Sequence, residues 1–320
     1  MAISRVGSFL EFLFRRKRRI AREHQIADEL SWHRQLQLPP GLQLTWLGTS
    51  GFALEYQGHT VLIDPYTTRV PLSSVVRRRK VAPVPDLAAP AGMAAADSER
   101  WFARADAILI GHSHFDHAMD TPTIARMSGA RVYGSRSTDA LMRAYGLGEQ
   151  SELVEPYKVY PVGPFELSFV PSVHSKLVLG LTVPYRGDIS CEHFDELTAP
   201  AYKCGDVFGI LIRVAGVTLY HQGSADLIDD ARHPEDVDIF LAGIAGRAFA
   251  RDYVGRILGK LSPRVIVPHH FDDFFKPLDA PLEFSFNVNL CGFVDEVAAV
   301  SRDFTVAVPT RLRTIGSEVS

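Results

Sequence analysis

From residue 42 onward the chain alternates short apolar runs with glycine-bearing breaks. Leu42–Leu47, Phe52–Tyr56 and Thr60–Ile63 read as three strands of a meander opened by Pro39-Pro40-Gly41. Ala107 to Ile110 is apolar and partly β-branched, as a fully buried strand should be, and Gly111 lets the chain turn at its end. Arg131–Tyr133 and Phe165–Val170 predict further strands, and Phe208–Val214 and Val217–His221 form a hairpin around Ala215-Gly216. Val237–Ala242, Arg264–Val267 and Phe304–Pro309 complete the strands. Helical stretches fall between them, at Asp97–Arg104, from Asp120 or Thr121 with Pro122 in the first turn to Gly129, from Ser137 to near Gly146, and from about Arg247 to Leu261, where Ser262-Pro263 ends it. The pattern is strand–helix alternation on a β scaffold. Residues 67–100 and 175–205 read as long loops, and such loops commonly shape a pocket.

Residues 1–38 differ from this pattern. Ile3, Val6, Phe9, Leu10, Leu13 and Phe14 recur at near-helical spacing and are followed by the basic run Arg15-Arg16-Lys17-Arg18-Arg19. The charges follow the apolar stretch instead of preceding it and no small-residue cleavage site comes after, so the segment does not read as an export signal. It is also shorter than the roughly 20 apolar residues a bilayer span needs. A helix folded against the domain, a solvated tail and a peripheral contact with an anionic membrane stay open. The expected organisation is this basic amphipathic segment, 1–38, followed by one large domain, 39–320, a length one all-β or layered α/β domain can reach.

The chain carries 34 Lys/Arg and 37 Asp/Glu. Eight of the former and four of the latter lie in residues 1–38, leaving a mildly acidic body of 26 against 33 that argues against a nucleic-acid partner. Cys191, Cys204 and Cys291 are too few and scattered for a disulfide framework, which fits a cytoplasmic setting. Cys191 and Cys204 could pair, although buried free thiols are the commoner state.

Candidate chemistry concentrates where the Ala107–Ile110 strand ends. His112, His114, Asp116 and His117 place four ligand side chains within six residues, using three of the chain's 12 histidines. His112 and His114, two apart in an extended turn, can face one ion, while Asp116 and His117 on the next bend can reach a second. Imidazole nitrogen with carboxylate oxygen suits Zn2+, and also Mn2+ or Fe. Solvated loop histidines are the plainer alternative.

This His-x-His-x-Asp-His pattern resembles the hallmark of the metallo-β-lactamase superfamily. Over Leu42 to Pro309 the chain looks most like its branch of ascorbate-6-phosphate lactonases and N-acylphosphatidylethanolamine phospholipases D. The resemblance implies an α/β (α+β) fold, a four-layer αββα sandwich built from two similar halves. It implies that Asp64 supports the metal loop through hydrogen bonds. His174, following the strand that ends near Val170, would join His112 and His114, and His270 would complete the second ion, leaving His269 behind it or in the pocket. The family's bridging Asp usually follows a strand-end Gly directly. Here Ser224 follows Gly223, and Asp226, two residues later, is the best remaining bridging carboxylate, with His221 a nearby ligand or proton donor.

Two divalent cations imply hydrolysis, because a water held between them loses a proton near neutrality while the substrate oxygen is polarised. Asp116 and Asp226 would position that water and His221 would protonate the leaving group. No Ser-centred nucleophile motif, dinucleotide-binding glycine pattern or phosphate-cradling Gly-Lys loop competes. The expected substrate is a small molecule or lipid, a phosphodiester or a lactone. A non-catalytic metal-binding module on the same fold is the alternative.

Overall fold

Where the strands of the first sheet are buried on both faces they are mostly apolar, and their apolar residues sort by parity into two separate layers. The computed structural model describes residues 17–81, 93–177, 181–190, 198–285 and 288–316. Strands β1 (Gln43–Gly48), β2 (Gly51–Tyr56) and β3 (His59–Ile63) form the expected antiparallel meander. The chain then adds β4 (Ala107–Leu109), β5 (Arg131–Gly134) and β6 (Ser151–Leu153), each parallel to the strand before it. Helices Thr121–Ser128 and Arg136–Ala144 make the crossovers that parallel pairing requires. Phe52, Leu54, Val61, Ile63, Ala107 and Leu109 belong to the core shared with the second sheet. Ala53, Leu62, Ile108 and Ile110 alternate with them and pack instead with Trp101, Phe102, Ile124 and Leu141.

The second sheet repeats the plan. Strands β7 (Tyr160–Val162), β8 (Phe165–Ser172), β9 (Val207–Val214) and β10 (Val217–Gln222) are antiparallel. Strands β11 (Ile239–Gly243), β12 (Val265–His269) and β13 (Thr305–Val306) continue in parallel, and β14 (Thr314–Ile315) returns to flank β1. Helices Tyr253–Leu261 and Leu290–Val300 add Val254, Ile257, Leu258, Phe293 and Val297 to the shared core. Two mixed seven-stranded sheets between helices form the αββα sandwich. Parallel strands end on the same edge of their sheets, so the loops after β4, β10 and β12 can converge there.

Some boundaries differ from the sequence reading for identifiable reasons. Pro171 and Pro268 lie inside β8 and β12, past the expected strand ends. Pro268 is tolerated because β13 pairs only with Val265 and Ile266, so no neighbour on that side asks for its missing N–H. The helix expected from Arg247 starts only at Tyr253, because Arg247 is buried and turned inward to Glu296 and the Asn289 carbonyl, while Asp252 adopts φ 46°. The Leu290–Val300 helix, capped by Asn289 accepting from the Gly292 N–H, escaped the sequence reading; its apolar residues give little periodicity.

Residues 17–38 fold against the domain. Helix Lys17–Glu29 leads to Trp32, fully buried in the shared core, whose backbone N–H donates to the Val308 carbonyl at 2.9 Å. Leu36 is also buried there, so core residues lie on both sides of Pro39-Pro40. The apolar stretch Ile3–Phe14 lies outside the described residues, as does Cys191, while Cys204, a free thiol, and Cys291 are both buried. No helix among the described residues is long and apolar enough to cross a membrane.

Candidate metal centre

Strand β4 ends at Leu109, and its continuation is pinned by Asp64 at the end of β3. One Asp64 oxygen accepts the Gly111 N–H at 2.8 Å and the other takes the His117 Nδ1 hydrogen bond at 2.8 Å. His112, His114, Asp116 and His117 follow on this loop and the short helix Phe115–Ala118, all buried. His174 arrives just past β8 and His270 just past β12. Six of the predicted residues thereby form two triads, His112 with His114 and His174, and Asp116 with His117 and His270. Within each, the ligand atoms lie within 4.8 Å of one another. The triads adjoin: the His112 and His117 ring centroids are 3.8 Å apart.

Hydrogen bonds set which nitrogen each imidazole offers. His114 donates Nε2 to the Pro184 carbonyl at 2.9 Å, and His174 donates Nδ1 to the Ser175 carbonyl at 2.7 Å, so the opposite nitrogen of each is left for a ligand bond. His117 is likewise oriented by Asp64, leaving Nε2 3.9 Å from Asp116 Oδ2, while His270 Nε2 lies 3.4 Å from the same oxygen. Both nitrogens of His112 and Nδ1 of His270 are buried without a hydrogen-bond partner among the described residues, and a cation could take one nitrogen of each ring.

Burial and neighbouring imidazoles push His112 and His174 well below the usual histidine range, and burial takes His114 down to about 4. These rings are neutral at pH 7, the state a metal ligand needs. Burial opposes the charge on His117 as well, but the Asp64 carboxylate outweighs it and raises the pKa. Asp116, despite burial, is held low by His270 and His117 and remains a carboxylate. Three neutral imidazoles, two buried and one half-buried, beside a carboxylate-bearing triad fit two borderline-soft divalent cations.

Asp226 and His221 do not join either triad. Asp226 accepts from Arg256 Nη1 at 3.0 Å and from the Leu227 N–H, and Ser224, at the position of the usual bridging Asp, accepts the Ser175 N–H at 3.0 Å. Gly223 keeps this turn close to the loop, since a Cβ there would approach Asp64 Oδ2 to 3.0 Å. His221 is fully buried, with Nε2 3.0 Å from the Ser50 carbonyl, and stacks on His269 at 4.8 Å between ring centroids. Thus His270, and not His269, meets Asp116 and His117.

Other contributors were not visible as motifs. Tyr185, in the loop after β8, sets its half-buried ring 6.2 Å from His114. Burial and the Asp116 charge raise its hydroxyl pKa against the opposing charge of Arg78. Phe274 packs 5.4 Å from His270 and 4.2 Å from Phe275, which faces Phe115, giving the second triad an aromatic flank.

Comparison with known proteins accords with this geometry. Residues 43–270 match the family model described as a β-lactamase superfamily domain. Proteins named UPF0173 metal-dependent hydrolase are similar in sequence. That of Anaeromyxobacter sp. (strain K) is 27% identical over 243 residues, covering 72% of this chain and 75% of its own. That of Methylobacterium nodulans is 26% identical over 276 residues, covering 84% and 100%. Among solved structures, the metallo hydrolase Igni18 of Ignicoccus hospitalis gives a TM-score of 0.51 at 19% identity, covering 87% of this chain and 99% of that one. The diiron β-hydroxylase CmlA of Streptomyces venezuelae gives 0.53 at 15%, covering 88% and 55%. These structural likenesses speak for the fold alone, since a hydrolase and a hydroxylase share it. With the family model spanning 43–270 and both triads in place, the chain belongs to the metallo-β-lactamase superfamily.

Proposed function

We propose that the protein is a metal-dependent hydrolase with a dinuclear site, acting on a phosphodiester or, less in keeping with its surroundings, a lactone. The observation that carries this reading is the pair of adjoining triads, which offers six ligand atoms to two cations. The relatives' shared name, metal-dependent hydrolase, supports the reaction class. When bound, zinc or a similar cation supplies Lewis acidity and brings the pKa of a coordinated water toward 7. His112, His114 and His174 would hold one ion, and Asp116, His117 and His270 the other. Asp116, ionised throughout the neutral range, would orient the attacking water by accepting its hydrogen bond. Tyr185, kept protonated beside His114, has a proton to offer a leaving group.

The anionic choice rests on the exposed run Arg77-Arg78-Arg79-Lys80, in which the Arg78 charge bears on the Tyr185 hydroxyl. An anionic diester would be drawn to it, and the resemblance to the phospholipase D and lactonase branch supports the same substrates. For a lipid diester, the basic run Arg15–Arg19 would favour peripheral contact with an anionic membrane. Ser224 in place of the usual Asp, with Asp226 held by Arg256, favours a second reading, a non-catalytic metal-binding module.

A panel of phosphodiesters such as bis(p-nitrophenyl) phosphate, lactones and thioesters, assayed metal-replete and after chelation, separates these readings. Metal-dependent turnover of a diester is expected. Two ions bound per chain with no substrate turned over would favour the module.

A further inference from the structure

The six residues Asp64–Arg69 reach both halves of the Asp116, His117 and His270 triad, although the halves hang from different sheets. Asp64 holds His117 and Gly111. The Thr67 and Thr68 N–H groups donate to Asp120 at 2.6 and 2.8 Å, three residues beyond His117. Arg69 then crosses to the loop of the second sheet, with Nη1 2.9 Å from Asp272 Oδ2 and side chains 1% and 0% exposed. Asp272 Oδ1 accepts the Thr49 N–H at 2.8 Å, and the Thr49 carbonyl accepts the His270 N–H at 2.8 Å. A continuous path thus runs from Arg69 through Asp272 and Thr49 to the backbone of a proposed ligand.

Two further features show that this path is built under constraint. Thr49, Asp64, Arg69 and His270 take φ of 51°, 41°, 54° and 60°, a left-handed conformation that non-glycine residues hold only where surrounding contacts over-determine it. Gly48 leaves the room Arg69 occupies, since a Cβ there would lie 1.8 Å from Nη2. Besides Arg69, the cation nearest Asp272 is Arg311, at 3.9 Å. Removing Arg69 would therefore leave a buried carboxylate poorly compensated, and the loop carrying His270 would relax to hydrate it.

We propose that Arg69 is a positioning residue for His270, acting through Asp272 and Thr49 to hold the second triad closed across the two sheets. The proposal rests on the reading of that triad as a metal-holding group. Arg69→Met removes the charge while keeping an apolar stem, and Arg69→Lys returns the charge without the planar fork. In the full-length, metal-free protein, hydrogen exchange is compared between the peptide containing His270 and that containing His112 to His117. Zinc is then titrated calorimetrically.

In Arg69→Met, exchange around Thr49 and His270 should quicken while the His112–His117 loop keeps its protection. One zinc-binding step should weaken about 10- to 100-fold, as for other partners behind metal ligands, and the other should hold. Arg69→Lys should recover part of both effects. Wild-type exchange and zinc binding in Arg69→Met would overturn the proposal, as would equal loosening of both loops, or Lys performing no better than Met. If the wild type takes up only one ion, the two-ion reading fails, and the exchange comparison decides the role of Arg69 by itself.

Discussion

His112, His114 and His174 make a triad without a carboxylate, in which His114 and His174 are braced by backbone carbonyls of Pro184 and Ser175, whereas Asp116, His117 and His270 include a carboxylate and are braced by buried charges. The first depends on the local course of its loops. The second depends on Asp64, and on an ion pair between sheets. Neutral imidazoles held by carbonyls tolerate loss of distant side chains, while a site balanced by buried charge loses its geometry when one partner is removed. The two triads should therefore fail under different perturbations.

The largest effect is expected at the carboxylate that distinguishes them. Asp116→Asn should lower diester turnover by about 100- to 10,000-fold while the unfolding midpoint in denaturant stays near wild type. Retained turnover would mean that the carboxylate has no part in orienting the attacking water.

Acid separates the triads in the metal-free protein because His112, His114 and His174 shift downward while His117 shifts upward. His114, at about 4 when folded against 6.5 unfolded, contributes stability that is complete above pH 6.5 and is lost as pH falls toward 4. The loss is roughly 3 kcal/mol for such a buried group, with His112 and His174 acting in the same sense. His117, raised by Asp64, works oppositely, its contribution present below pH 6.5 and lost as pH rises through its folded value. Denaturant midpoints should fall on acidification from pH 7 to 4.5, and His112→Ala and His174→Ala should blunt the fall. A midpoint flat over that window would contradict the neutral state of this triad.

Asp64→Asn sharpens the comparison from the other side. It should weaken one metal-binding step about 10- to 100-fold and leave the second alone. Loss of both steps together would show that Asp64 supports the whole loop through Gly111 more than it supports His117.

The smallest effect is expected at Asp226. Its contact with Arg256, side chains 23% and 19% exposed, is a partly exposed ion pair worth about 1 kcal/mol or less. Asp226→Asn should leave two ions per chain by elemental analysis. Loss of one ion would restore Asp226 as a bridging ligand.

What the sequence determined by itself was local. Period-2 and all-apolar runs gave most strands, because burial on one or both faces writes itself into consecutive residues. His112 to His117 was legible because its candidate ligands share one loop, whereas His174 and His270 were reached through the family resemblance, since a histidine after a strand end does not by itself mark a ligand. Only the tertiary structure decided contacts between residues far apart in the chain. Trp32 and Leu36 joined the core although they precede the Pro39-Pro40 break. Asp226 turned to Arg256, His221 to Ser50, and Arg69 to Asp272, 203 positions away (272 − 69). A polar side chain's partner depends on which groups the folded backbone brings within about 3 Å, and no periodicity in the sequence encodes that distance.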